Sequence, residues 1–170
     1  VVLGVVTITF LGTTWLGPRL GVSKTLSLLI ATGFSICGAS AVAAMEGVVE
    51  ADEEEVTYSI ALVTLCGSLA IILLPLLRNI VGLQDAHMFG AWVGASVHDV
   101  AQVVATSSTG GKEAADSAIV VKLSRVVLLA PLVTIMALWV KRGKSGFIAK
   151  ASRGKINIMP LFVFGFLVMI

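Results

Sequence analysis

The sequence predicts an all-α fold, a polytopic bundle of transmembrane helices interrupted at glycines, and three observations predict it. Hydrophobic residues fill 57% of the 170 positions and charged residues only 13%, with a mean hydropathy of +1.01, whereas an average soluble domain is about 25% charged. Apolar runs recur along the chain, and the inner ones are each about 20 residues, which at 1.5 Å per helical residue matches a ~30 Å hydrocarbon core. Short polar connections rich in Gly, Pro or charge separate them. Inside lipid every backbone amide must be bonded internally, so such runs are helices. The whole chain, 1–170, is expected to be a single transmembrane domain with helices at about 1–16, 25–48, 56–77, 89–108, 117–140 and 156–170. It opens at Val1 and stops at Ile170 inside an apolar run, and so reads as a fragment of a longer protein. Its first apolar run is not expected to be a signal peptide, since it shows neither a basic n-region nor a small-residue cleavage site.

The first run ends where Gly17, Pro18 and Gly21 accompany Arg19 and Lys24. The second contains TGFSICGASAVAA, Thr32 to Ala44, whose small residues suit close backbone approach or a broken helix. Asp52, Glu53, Glu54 and Glu55 open the third. Carboxylates in a first turn stabilise the positive end of a helix, and Asp52 with Glu55 three residues on is an N-cap arrangement, preferred here over a metal site. Cys37 and Cys66 lie in apolar runs without a CxxC pair and read as small buried hydrophobes. No metal or other cofactor is expected.

In the fourth run Gly90, Gly94, His98 and Gln102 recur every fourth residue and would share one helix face. Gly90 and Gly94 form GxxxG, a close-packing signal, and Ser96, Asp99 and Gln102 form a flanking series. This segment also echoes the second run: Gly33, Ser35, Ile36, Val42 and Ala44 align without gaps on Gly94, Ser96, Val97, Val103 and Ala105. The fifth run carries Lys122 and Arg125, three apart and on one face; Arg125 is expected to face the interior with Asp99 as partner. Lys141 to Lys155 holds six bases and no acid, which the positive-inside rule places in the cytoplasm. If each run crosses once, the loops with Arg19, Lys24 and Arg78 face inward, and the acidic run and the Thr109 loop face outward. A re-entrant His98 segment would instead move the acidic run inside and Arg78 outside.

Function is read from charge inside the membrane. An uncompensated charge at the centre of a spanning helix costs roughly 2.5 to 3.5 kcal/mol, so His98, Asp99, Lys122 and Arg125 mark a site. Its net charge is positive, and arginine's planar fork suits oxyanions. The constellation is expected to prefer a small anion with carboxylate, sulfate or sulfonate oxygens, and the resemblance given below implies a secondary carrier for it. Lys122 and Arg125 would hold the charge, assisted by Ser35, Gly38, Ser40, Ser96 and Gln102, since paired broken helices can present free amides to an anion. His98 and Asp99 would couple transport to protons; coupling to sodium is the runner-up. A membrane enzyme using Ser35 or Ser40 with His98 is disfavoured, because neighbours on a helix diverge by about 100° and Asp99 would not orient His98. Gly110, Gly111 and Lys112 lack the spacing of a P-loop. Apart from the bilayer, the anion and a coupling ion, the sequence names no partner, gives no sign of nucleic-acid binding and leaves the oligomer open.

The runs GFSICGASAVAA, ADEEEVT, GASVHDVAQVVA and AIVVKLSRVVLLAPLV together resemble the YeiH-like bacterial inner-membrane proteins, also called the sulfate exporter family. The resemblance covers roughly 32–160. It implies a multi-pass transporter in the bacterial cytoplasmic membrane, with chains about twice this length. Members often carry Pro and Lys between the SICGA motif and the acidic run, where this chain has Glu46, Gly47 and Glu50.

Overall fold

A computed structural model describes residues 2–49 and 51–141, and every described secondary-structure element is helical. The expected helix at 156–170 and all of the basic loop after Lys141 lie outside the described residues. Helix α1 spans Val2–Arg19, α2 Lys24–Ser35, α3 Ala39–Val49 and α4 Glu53–Val81. Helix α5 spans Ala86–Ser96, α6 Val100–Ser107, α7 Lys112–Val127 and α8 Leu129–Lys141, with a 3-10 turn at Ser108–Gly110 before α7. Among the described residues two stretches are long and apolar enough to cross a membrane, Glu53–Val81 and Lys112–Trp139, of 29 and 28 residues. Each is ~42 Å or more in length.

Local chemistry sets most of the ends. Ser23 caps α2 by accepting from Leu26 N, and Asp85 caps α5 by accepting from Met88 N. Gly82, at φ 77°, closes α4 in the left-handed conformation that glycine adopts without strain. Asp52 does stand at the N-cap of α4, but its side chain makes no capping bond. Glu53, Glu54 and Glu55 fill the first turn, and Glu55 accepts a short hydrogen bond from Ser23 Oγ across to α2.

The runs 25–48 and 89–108 are broken, α2 from α3 at 36–38 and α5 from α6 at 97–99. At each break the chain turns back instead of crossing. Gly33 in α2 lies so close to Val42 in α3 that a Cβ on it would meet the valine at 2.9 Å. The Ser23 to Glu55 bond ties the start of α2 to the chain just beyond α3. In the second hairpin Gly110, beyond α6, packs on Phe89 in the first turn of α5. Each hairpin helix is 8 to 12 residues, about half the length of the spanning helices.

This puts two half-length helices where one helix per run was expected. It also separates residues expected on one face: Gly90 and Gly94 lie in α5, Gln102 in α6, and His98 in the break between them. Helix α7 runs parallel to α5, because Gly90 faces Ala114 and Gly94 faces Ala118. Helix α4 likewise starts beside α2, at Glu55 with Ser23, and reaches its tip at Val63 with Gly33 and Gly38. The hairpins therefore enter the protein from opposite ends, one between α1 and α4 and the other between α4 and α7. A separate apolar core holds each. The first joins Leu28, Ile36, Val42, Met45, Val133 and Met136; the second joins Leu74, Phe89, Val93, Val97, Val103 and Ala118.

Candidate functional site: two helix breaks meeting at Lys122 and Arg125

A helix that stops in the interior leaves carbonyls without amide partners at its C-terminal end, and such groups are costly to bury unbonded. Helices α2 and α5 both stop in this way. Lys122 and Arg125, on one face of α7, supply what they lack. Lys122 Nζ donates to Ile36 O and to Val97 O, both at 2.8 Å. Arg125 donates through Nη2 to Ser35 O at 2.5 Å and Phe34 O at 3.1 Å, through Nε to Ser35 O at 3.2 Å, and through Nη1 to Ala95 O at 2.5 Å. Lys122 is 0% and Arg125 1% exposed. Helix α7 begins at Lys112, five residues earlier than the run expected from Ser117, so Lys122 lies ~15 Å and Arg125 ~20 Å along it. Lys122 does not reach for the surface; it reaches the hairpin tips.

The acceptors obey the alignment seen in the sequence. Ile36 aligns on Val97, and the two share one ammonium; Phe34 aligns on Ala95, and the two share one guanidinium. Gly38 aligns on Asp99, and these touch each other: a Cβ on Gly38 would sit 3.7 Å from the Asp99 backbone nitrogen. The echo is therefore an internal repeat of helix plus hairpin, and the two copies face each other at their tips.

Asp99 is not the partner of Arg125. It is the N-cap of α6, where Oδ1 accepts from Ala101 N at 2.8 Å. Among the described residues neither Lys122 nor Arg125 forms an ion pair within 4.0 Å, whereas His87 and Glu113 do so at the surface. The physical reason is the hairpin itself, since a helix starting at Val100 needs a carboxylate at its positive end and the stopping helices need donors.

The other expected residues divide into those at the tips and those used in packing. Gly38, at φ 76°, is the turn from which α3 starts, and Ser40 in its first turn bonds Cys37 through its hydroxyl. Ser35 is fully buried, and its hydroxyl donates to Thr32 O. Ser96 is the last residue of α5. Gln102 donates to Thr64 O at 3.2 Å and seats against Gly67, joining α6 to α4. His98 packs edge-on against Phe34 with ring centroids 4.5 Å apart, and its Nδ1 is buried without a hydrogen-bond partner, as is Gln102 Oε1. Neither Ser35 nor Ser40 is hydrogen-bonded to His98.

Side-chain reasoning missed the backbone carbonyls of Phe34, Ser35, Ile36, Ala95 and Val97. Most belong to apolar residues, and the gapless alignment was the signal that pointed to them. Also missed was a surface cluster in which His87 bonds Ser117 at 2.8 Å and joins the starts of α5 and α7. Among the described residues no group of three or more His, Cys, Asp or Glu is placed to hold a metal.

Residues 1–170 match the family described as Conserved hypothetical protein 698. The chain is 42% identical over 159 residues to a UPF0324 membrane protein of Corynebacterium glutamicum, covering 94% of this chain and 45% of that one. It is 42% identical over 157 residues to a UPF0324 membrane protein of Pseudomonas aeruginosa, covering 89% and 44%. A UPF0324 membrane protein of Bacillus cereus is 38% identical over 149 residues, covering 87% and 43%. The chain thus spans somewhat under half the length of these relatives. No solved structure matches it. With its full length matched and its membrane-protein relatives this similar, the chain belongs to the family of Conserved hypothetical protein 698, the UPF0324 membrane proteins.

Proposed function

We propose that this segment is the core of a secondary carrier for a small anion, of the sulfate or sulfonate type, in the bacterial cytoplasmic membrane. One observation carries the reading: four helix ends converge on two buried cations that are paired with no carboxylate among the described residues. Lys122 and Arg125 neutralise the negative ends of α2 and α5. The positive ends of α3 and α6, at Gly38 to Ser40 and Asp99 to Gln102, stay directed at the tips, and positive helix ends favour anions. Ser40 and Ser96 flank the same place. Asp99 occupies one of these ends with its own carboxylate, so taking up a proton would release the α6 amides to an incoming anion; His98 stands next to it.

The hairpins support one sidedness. Both ends of the first hairpin and the far end of α8 lie on one side, so a cytoplasmic Lys141–Lys155 loop brings Arg19, Lys24 and the acidic run inside and puts Arg78 and Thr109 outside.

A thermal-shift screen of the full-length protein against sulfate, sulfite, taurine, other sulfonates and small carboxylates tests the reading. A ligand at a hundred times its Kd stabilises by about 2.7 kcal/mol. One anion class should raise Tm, with the gain reduced in Ser40→Ala. No stabilisation by any of them would remove the anion reading.

A further inference from the structure

The place held by the Lys122 ammonium has the form of a cation site. It lies where two unwound hairpin tips meet, its acceptors are equivalent carbonyls from the two halves, each 2.8 Å from Nζ, and it is fully buried. In carriers with broken helices such carbonyls are the groups that coordinate a coupling cation. Here a covalently attached cation occupies them. The charged and titratable groups around it are Arg125 on the same helix, Asp99 and His98 at the second tip and Cys37 at the first. None of these fills the space between the carbonyls.

We infer that Ile36 O and Val97 O form a site for an ammonium-sized monovalent cation, and that Lys122 fills it permanently in place of a free coupling ion. The inference rests on the carrier reading for its significance, but the site itself is tested separately. Two things follow. The native protein needs no sodium at this point, and removing the amine while leaving space should convert a built-in cation into an exchangeable one.

The experiment compares the full-length protein with Lys122→Ala and Lys122→Met, each purified in choline chloride and melted in equal concentrations of choline, sodium, potassium, ammonium or methylammonium chloride. The native Tm should be the same in all of them. Lys122→Ala should melt lower in choline and regain about 4 °C or more in ammonium or methylammonium. Lys122→Met, whose side chain keeps the space filled, should gain nothing. If Lys122→Ala survives purification only with ammonium present, that is the same rescue. Indifference of Lys122→Ala to every small cation, or its loss in all of them, overturns the site. Sodium stabilisation of the native protein overturns the claim that Lys122 replaces the coupling ion. Running the anion screen on the native protein in choline separates the two readings. No anion response there or with sodium, alongside ammonium rescue, removes the carrier and keeps the site. An anion response that requires sodium keeps the carrier and removes this inference.

Discussion

Arg125 and Lys122 differ in what they can give. The arginine fork reaches three carbonyls from both hairpins, whereas an ammonium is a compact charge on a flexible stem. Arg125→Lys should therefore fail to bond Phe34, Ser35 and Ala95 together. Leaving one buried carbonyl unbonded costs about 1 to 3 kcal/mol, so the variant should unfold at a lower temperature by several degrees, measured on the purified full-length protein. The sequence located both cations correctly and put Arg125 in the interior. It paired Arg125 with Asp99 because charge pairing is the default use of buried charge, and nothing in the side chains of Ile36 or Val97 announces that their carbonyls are free. Asp99 was not legible as a cap, since its capping role exists only once a helix begins at Val100.

At the scale of elements, the close packing expected of GxxxG is present. Gly90 and Gly94 lie against Ala114 and Ala118, where an added Cβ would meet carbonyl oxygens at 2.1 and 2.4 Å. Backbone atoms are the obstacle, so no side-chain rotation relieves the clash. Gly94→Val should force α5 from α7 and destabilise by about 1 to 3 kcal/mol, a loss that thermal unfolding would register. The same substitution at Gly47, where the space is open, should cost less. Helix positions were legible within a few residues, as composition and length require. Direction was not. A run of about 20 apolar residues suits either one crossing or two half-length helices, and the glycine and serine density at Thr32 to Ala44 marked a break without saying which way the chain leaves it.

Among the described residues two stretches are long and apolar enough to cross, α4 and α7 with α8, and two hairpins enter from opposite sides. The sidedness of the whole molecule can be read with a membrane-impermeant thiol reagent on single cysteines placed in a background without native cysteines, Cys37→Ala and Cys66→Ser included. Glu53→Cys and Val22→Cys should label from the same side, and Thr109→Cys and Leu83→Cys from the other. Labelling of positions 22 and 53 from opposite sides would restore six single crossings. Counting crossings by charge alone left two assignments of the acidic run open, because the rule fixes one loop and the rest depends on which runs cross. The repeat has a mechanical consequence. A body made of two similar halves facing each other has two similar distortions, reached by exchanging the shapes of the halves, and Lys122 bonds corresponding atoms in both. Its bonds can therefore persist through such an exchange, like a hinge pin. Where the halves differ, at Gly38 against Asp99 and Cys37 against His98, the two shapes lose their equivalence.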